Sequence, residues 1–313
     1  MFDLRLLQTF REVALRGSFS LAAEELGFTQ PAVSQQLSRL ERNLGVKLLE
    51  RTARGVTLTA PGEALLAEAD AVLGAVRRAE RAAQDAGGVH ARQLRLGAFP
   101  SAASGLVPGA VREARRRRPH PEVELDLRVL DHQPALRALA RGKLDMALTI
   151  DSPLDELDVP DGIELLPVTE DPMVIALSVE HPLASRRSLE LAELADEPFL
   201  LTEIGGTCAD SNIVRNACRT AGFTPQVRLE SEDYNALQGM AAAGLGIALM
   251  PRLATVGSYP GVVLRPLRGT IPTRSIVAAV PVHDRSPLVD DFLEALRAAG
   301  RALDAPGRLA AAA

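Results

Sequence analysis

Apolar residues in the first sixty positions recur at the spacing of amphipathic helices. This spacing predicts a first helix that ends near Gly17 and a short second helix from its N-cap Ser18 to Leu26. Residues 27–29 form a tight turn that contains glycine, and a third helix follows Thr29 with Pro31 in its first turn. Two helices joined by a three-residue turn with glycine are the signature of a helix-turn-helix.

The third predicted helix has an apolar and a polar face when its residues are placed about 100° apart. The buried stripe consists of Val33, Leu37, Leu40 and Leu44. The opposite face carries hydroxyl, amide and guanidinium groups, which suit base edges and phosphates. An ordinary solvated face would normally include acidic residues, but Glu41 lies toward the buried edge. The predicted contacts to double-stranded DNA are Thr29, Gln30, Pro31, Ser34, Gln35, Ser38 and Arg39.

Two short strands are predicted after this helix. Leu48 belongs to the first and Val56 and Leu58 to the second, with Arg54 and Gly55 at the tip between them. Such a hairpin is a wing, which would place Arg51 and Arg54 near phosphates or the minor groove.

Residues 61–88 form a separate segment, rich in Ala, Leu and Glu, that ends at two consecutive glycines. Its apolar positions repeat twice per heptad, at Leu65, Ala69, Val72, Val76, Ala79 and Ala83. The helix could pack on its own domain or pair with a second copy of the chain. We favour pairing into a homodimer or homotetramer, because the segment lies between two domains with no obvious core beneath it.

From residue 89 onward, β-rich apolar runs alternate with helical patterns, which predicts an α/β domain around a parallel sheet. Ligands of such sheets lie beyond the carboxyl ends of the strands. The candidate ligand-binding residues at these ends are Pro100, Ser101, His132, Thr149, Thr202, Gly205 and Thr207.

The ligand expected at these strand ends is a small polar molecule. Helix N-terminal amides beside Ser101 favour an anion. For His132 the role of an ordinary solvated loop residue stays open beside ligand contact. The chain has no Trp and only two Tyr, so a site built on stacked aromatic rings is not expected.

The distribution of charge supports one contact surface for DNA. The net charge is −5, yet residues 1–60 hold 8 Lys and Arg against 6 Asp and Glu. A locally basic segment on an acidic body suggests a single phosphate-facing patch. The apolar stretches are too short for a membrane span and no secretory signal is visible, so a cytoplasmic location without membrane contact is expected. Two cysteines and five scattered histidines give no metal-ligand spacing, and no cofactor is expected.

Three motifs resemble the LysR-type transcriptional regulators. They lie at residues 18–23, at 29–41 and at 44–52, the last containing Leu44-Gly45-Val46 and Glu50-Arg51-Thr52. Weaker similarity covers the C-terminal region, at 142–148, 181–184 and 244–251. The resemblance implies an all-α winged helix-turn-helix at 1–60, a long dimerising linker helix at 61–88 and an effector-binding domain at 89–313. This α/β domain would be two-lobed and similar to periplasmic binding proteins, with lobe I at about 89–160 and 270–303 and lobe II at about 161–269. It also implies promoter binding, dimers of dimers, a response to a small effector and contact with RNA polymerase.

Two alternatives to a metabolite-responsive regulator stay open. Cys208 and Cys218 resemble the cysteine pair of the peroxide-sensing branch, although their spacing differs slightly, and disulfide geometry is strict. An enzyme acting on a metabolite is the more remote alternative, because no nucleophile elbow, phosphate loop or paired-carboxylate motif stands out.

Overall fold

The computed structural model describes residues 3–52, 55–86, 93–117, 124–152, 154, 157–202, 209–257, 259–283 and 285–303. The chain divides into two compact units. Unit 1 contains Met1–Ala91 and Ala140–Lys143, and unit 2 contains Arg92–Leu139 and Leu144–Ala313.

Unit 1 is built on three short helices and one long helix. They are α1 (Leu4–Arg16), α2 (Phe19–Leu26), α3 (Gln30–Leu44) and α4 (Ala60–Ala86). Glycines with positive φ end the first three helices, and Gly27, at φ 66°, makes the turn between α2 and α3. Phe10 of α1 is fully buried against Val33 and Leu40 of α3, in the core of the helix-turn-helix.

The predicted wing is present as an antiparallel hairpin of β1 (Leu49–Thr52) and β2 (Gly55–Leu58). Leu49 pairs with Leu58 at the base of the hairpin, and both side chains pack against the core of unit 1. The tip residue Arg54 lies outside the described residues, and the same holds for the side chain of Arg51.

Helix α4 contacts the helix-turn-helix core along its first half, where no core was expected. Ala69 and Leu73 are buried in the same cluster as Phe10, and Arg11 of α1 forms an ion pair with Asp70. The expectation that nothing lies beneath this helix is therefore wrong for these turns. Val72 remains 40% exposed on another side of α4. The division of the chain at residues 60 and 88 stays a prediction.

Unit 2 contains a sheet with the strand order β4-β3-β5-β11-β6-β9-β7-β8, and β10 also pairs with β6. The strands are β3 (Gln93–Ala98), β4 (Glu124–Val129), β5 (Met146–Asp151), β6 (Ile163–Ser178), β7 (Pro198–Thr202), β8 (Gln226–Ser231), β9 (Ile247–Pro251), β10 (Val262–Pro266) and β11 (Thr273–Pro281). The helices are α5 (Pro100–Gly105), α6 (Val107–Arg117), α7 (His132–Ala140), α8 (Ala209–Thr220), α9 (Tyr234–Ala242) and α10 (Pro287–Leu303).

The sheet is mixed, which corrects the expected parallel sheet. Strands β3, β4 and β5 are parallel, as are β7, β8 and β9, but β11 runs antiparallel to β5 and β6. The antiparallel strands could not be inferred from alternation of strands and helices, because direction depends on pairing between distant segments.

Strand β6 passes through both lobes. Its first part pairs with β11, whereas residues 173–176 pair with β9. Lobe I therefore continues past the boundary expected near residue 160. We define the hinge as residues 170–173 of β6 and 273–275 of β11. Leu96, Leu148 and Phe292 lie in the core of lobe I, and Phe199 and Leu249 lie in the core of lobe II. Among the described residues, none of the helices has the length and apolar composition of a membrane span.

Candidate nucleic-acid interface and interlobe site

The outward face of α3 is exposed as its pattern predicts. Side chains of Gln30, Pro31, Gln35, Ser38 and Arg39 are exposed and that of Ser34 is half-buried. Thr29 precedes the helix as an exposed N-cap residue whose side chain makes no capping hydrogen bond. The predicted DNA-contacting residues of this helix therefore share one accessible surface.

The only carboxylate of α3 is turned away from this surface. Glu41 is buried, and its Oε1 accepts a hydrogen bond from the backbone N–H of Leu48 at 3.0 Å. Its Oε2 accepts one from Lys47 Nζ at 2.6 Å. Burial raises the pKa of Glu41, but the hydrogen bonds from Lys47, Leu48 and Leu49 outweigh burial and hold this pKa below 4.5. Glu41 thus ties α3 to the start of the wing, a role that sequence reasoning missed.

In unit 2, Ser101 lies in a buried contact rather than at an open strand end. Its side chain is 3% exposed, and its hydroxyl oxygen accepts a hydrogen bond from Nη2 of Arg274 at 2.7 Å. The preceding Pro100 is exposed at the first position of α5. Ser101 thus connects lobe I to the hinge.

Arg274 is the centre of a buried cluster between the lobes. Its guanidinium donates to Asp171 Oδ2 from Nε at 2.9 Å and to Asp210 from Nη1 at 2.8 and 2.9 Å. Asp171 and Arg274 belong to the hinge, whereas Asp210 lies in the first turn of α8 in lobe II. The hydroxyl of Tyr234 donates to Asp210 in turn. We call Ser101, Asp171, Asp210, Tyr234 and Arg274 the interlobe cluster.

Burial and paired charges both act on the ionisation of this cluster. Burial raises the pKa of Asp171 above its ordinary value, against the lowering effect of Arg274. Burial and the Asp210 carboxylate raise the pKa of Tyr234. Burial alone would lower the pKa of Arg274, but Asp210 and Asp171 raise it, so the guanidinium keeps its charge. One cation is therefore shared between two carboxyl groups.

His132, Thr149 and Thr202, the other predicted ligand residues that the structure describes, lie around this cluster. His132 is half-buried at the start of α7, with Nδ1 3.0 Å from the hydroxyl oxygen of the buried Thr149. The ring of Phe99 lies between, 5.0 Å from the His132 ring and 5.1 Å from the guanidinium carbon of Arg274. The buried Thr202 forms a side-chain hydrogen bond with Tyr234. Gly205 and Thr207 lie outside the described residues.

Cys218 is a core residue of lobe II. It is fully buried in α8, and burial raises the pKa of its thiol to about 11. A protonated, inaccessible thiol is a poor nucleophile. Cys208, its partner in the redox-sensing alternative, lies outside the described residues, so that alternative stays untested.

A winged helix-turn-helix joined to a two-lobed α/β domain defines a class of DNA-binding regulators. Residues 4–63 match the family model of the bacterial regulatory helix-turn-helix protein, lysR family, and residues 87–301 match the LysR substrate binding domain. The chain belongs to the LysR family of transcriptional regulators.

Curated relatives support this assignment along almost the whole chain. The chain is 31% identical to the HTH-type transcriptional regulator AlsR of Bacillus subtilis, over 93% of this chain and 94% of the relative. It is also 31% identical to the Hca operon transcriptional activator HcaR of Escherichia coli, over 93% and 96% of the two chains.

Solved structures have the same fold. A full-length OxyR variant from Pseudomonas aeruginosa superposes with a TM-score of 0.68 at 25% identity, covering 95% of each chain. The regulator CbnR, determined with its target DNA, gives a TM-score of 0.64 at 23% identity, covering 95% of this chain and 100% of that one. The chain is thus a LysR-family regulator with a DNA-binding unit and an effector-binding domain, as the sequence motifs predicted.

Proposed function

We propose that the protein reads promoter DNA with the outward face of α3. Gln35 and Ser34 would contact base edges, whereas Arg39 and the wing residues Arg51 and Arg54 would contact phosphates. The observation that carries this proposal is the accessible polar face of α3, from which its single carboxylate is turned away. Because DNA is negatively charged, the absence of exposed carboxylates from this described face favours close approach.

We also propose that a small polar effector binds at the strand ends around the interlobe cluster. Ser101, His132, Thr149 and Thr202 are the described residues expected to contact it, and Pro100, Gly205 and Thr207 complete the set. Helix N-termini favour an anion at such positions. Two carboxyl groups already surround Arg274, however, and would repel a further negative charge. An uncharged polar effector therefore fits this cluster better than a carboxylate.

The contacts of the interlobe cluster also suggest how an effector bound in unit 2 would change DNA binding. Asp210 of lobe II and Ser101 of lobe I both bond to the guanidinium of Arg274 at the hinge. A ligand that competes for one of these contacts would favour a different arrangement of the lobes. It would change DNA binding only to the extent that its affinity differs between the two arrangements.

Ser101→Ala, with Ser104→Ala as a matched control, tests this placement of the effector. Both serines lie in α5, but Ser104 is exposed. Among the described residues, its hydroxyl donates only to carbonyl groups of its own helix. A thermal-shift screen of uncharged and anionic metabolites on the wild type first identifies an effector. Calorimetry should then show weaker binding to Ser101→Ala and unchanged binding to Ser104→Ala, with effector-free operator affinity equal in all three proteins. Wild-type effector affinity in Ser101→Ala would rule out this site.

The remaining partners are proposals from family membership. We propose a homodimer or homotetramer that pairs through the exposed side of α4, acts in the cytoplasm and contacts RNA polymerase at the promoter. The protein would regulate transcription rather than catalyse a reaction on its effector, because its relatives are regulators. Turnover of the identified effector by purified protein would contradict this.

A further inference from the structure

A second cavity lies in unit 2, away from the interlobe cluster. Its volume is about 410 Å³, within the range of small-molecule sites. One wall is a face of α8 formed by Ile213, Asn216, Ala217 and Thr220, whose spacing of i, i+3, i+4 and i+7 places them on one side of the helix. The facing walls are residues 152 and 154 after β5, residues 190 and 191, and residues 268–270, 272 and 273, the last of which begins β11.

This cavity and the interlobe cluster lie on opposite faces of the same strand. Thr273 lines the cavity, whereas the next residue, Arg274, belongs to the cluster. Successive side chains of a strand point to opposite faces of the sheet. Helix α8 likewise contributes Asp210 to the cluster with its first turn, and it lines the cavity with its following turns. The two sites are separate but share two structural elements.

The lining of the cavity indicates the chemistry of its ligand. Leu191 and Ile213 are buried apolar residues of the wall, and Ala217 and Pro272 add further apolar surface. The charged rim is balanced internally, because Arg268 is bonded to Glu190 and, at 3.2 Å, to Glu193. Asn216 lines the cavity, and its side-chain amide makes no hydrogen bond within the described part of the chain.

We propose that this cavity is a second ligand site, for an uncharged and mainly apolar small molecule that carries a hydroxyl or carbonyl group. The apolar wall buries the body of the ligand, and Asn216 bonds its polar group. A charged ligand gains little here, because the rim offers no uncompensated charge among the described lining residues.

The test uses the full-length protein and two probes of nearly equal shape, 1-naphthalenemethanol and 1-naphthoate. Calorimetry measures the binding of each probe to the wild type and to four variants. Thr220→Trp fills the cavity from an exposed position, and Asn216→Ala removes the amide. Arg219→Trp is the matched control, because it adds the same side chain to the same helix at an exposed position that does not line the cavity. Ser101→Ala reports on the interlobe cluster.

We expect saturable binding of 1-naphthalenemethanol to the wild type, with 1-naphthoate at least about tenfold weaker. Thr220→Trp should lower the affinity for 1-naphthalenemethanol by at least about tenfold, and Asn216→Ala should lower it by roughly fivefold. Arg219→Trp and Ser101→Ala should bind this alcohol with the affinity of the wild type. Asn216→Ala keeps the test decisive if Thr220→Trp does not fold. No saturable binding, equal affinity for the two probes, unchanged affinity in Asn216→Ala, or loss of binding only in Ser101→Ala would each overturn the proposal.

Discussion

Nη1 of Arg274 lies 2.9 and 2.8 Å from the two carboxylate oxygens of Asp210, and both side chains are buried. The contact joins the hinge to the first turn of α8 in lobe II. A buried ion pair need not stabilise a fold more than apolar residues would, but removal of one partner leaves an uncompensated charge. The described arrangement of the two lobes therefore depends on the contacts of one guanidinium.

The first prediction is that Arg274→Met destabilises the protein strongly. The variant leaves Asp171 and Asp210 buried without their cation and Ser101 without its donor. The expected loss in the free energy of unfolding is about 3–5 kcal/mol. Urea unfolding, followed by circular dichroism, measures it.

Arg268→Met is the matched control for Arg274→Met. Arg268 also contacts two carboxylates, Glu190 and Glu193, but these side chains lie at the surface. Exposed ion pairs contribute little, so the control should lose less than about 1 kcal/mol. Equal losses in the two variants would show that burial of the cluster does not matter for stability.

The second prediction concerns acid stability and Glu41. Its pKa is held below 4.5 in the folded protein, so its stabilising contacts are fully present above pH 4.5 and are lost as the pH falls through the depressed value. Glu41→Gln should lower the free energy of unfolding by about 1–3 kcal/mol at pH 7, because the charge-assisted hydrogen bonds are weakened. The difference from the wild type should shrink below pH 4.5.

Denaturant unfolding from pH 7 down to pH 3 provides the measurement for this pH dependence. Glu24→Gln serves as the control, because Glu24 is an exposed carboxylate of α2. A difference between Glu41→Gln and wild type that stays constant with pH would argue against the assigned role of Glu41.

The helix-turn-helix could be predicted from sequence because its signals are local. Gly17, Gly27 and Gly45 adopt positive φ at the predicted helix ends. Val33, Leu37 and Leu40 of α3 are buried as their spacing indicates, but Leu44, predicted in the same stripe, is 37% exposed at the last position of the helix. The mixed sheet could not be predicted in the same way. Strand β11 pairs with segments more than a hundred residues earlier in the chain, and its direction cannot be predicted from the residues around it.

The candidate ligand site was predicted only in part, for the same reason. Ser101 and Thr202 could be found because each ends or follows a recognisable strand. Arg274 and Asp171 are separated by 103 residues and Arg274 and Asp210 by 64, so only the fold brings them together. In the sequence, Arg274 differs from other residues only as a charged residue near the start of the apolar strand β11. A charged residue at such a position does not by itself predict a buried cluster.

The third prediction is that Val72→Asp weakens self-association. Val72 is 40% exposed on α4 while Ala69 and Leu73 are buried in unit 1, so Val72 is free to contact a second copy of the chain. A carboxylate in an apolar interface is costly without a partner. Sedimentation velocity should show smaller assemblies for Val72→Asp.

Ala71→Asp controls for the charge itself, because Ala71 is an exposed neighbour on α4 that lies off the predicted seam. It should sediment like the wild type. An unchanged sedimentation profile for Val72→Asp would contradict pairing through this side of α4.

The fourth prediction tests the central claim, that the outward face of α3 reads DNA sequence. The most direct measurement is selection of binding sites from a random duplex library by the wild type, by Gln35→Ala and by Gln8→Ala, an exposed glutamine on α1. Wild type and Gln8→Ala should select the same consensus. Gln35→Ala should lose preference at one base position, at a cost of about 1–3 kcal/mol, and keep the rest of the consensus. An unchanged consensus for Gln35→Ala, or no enriched sequence for the wild type, would contradict the account.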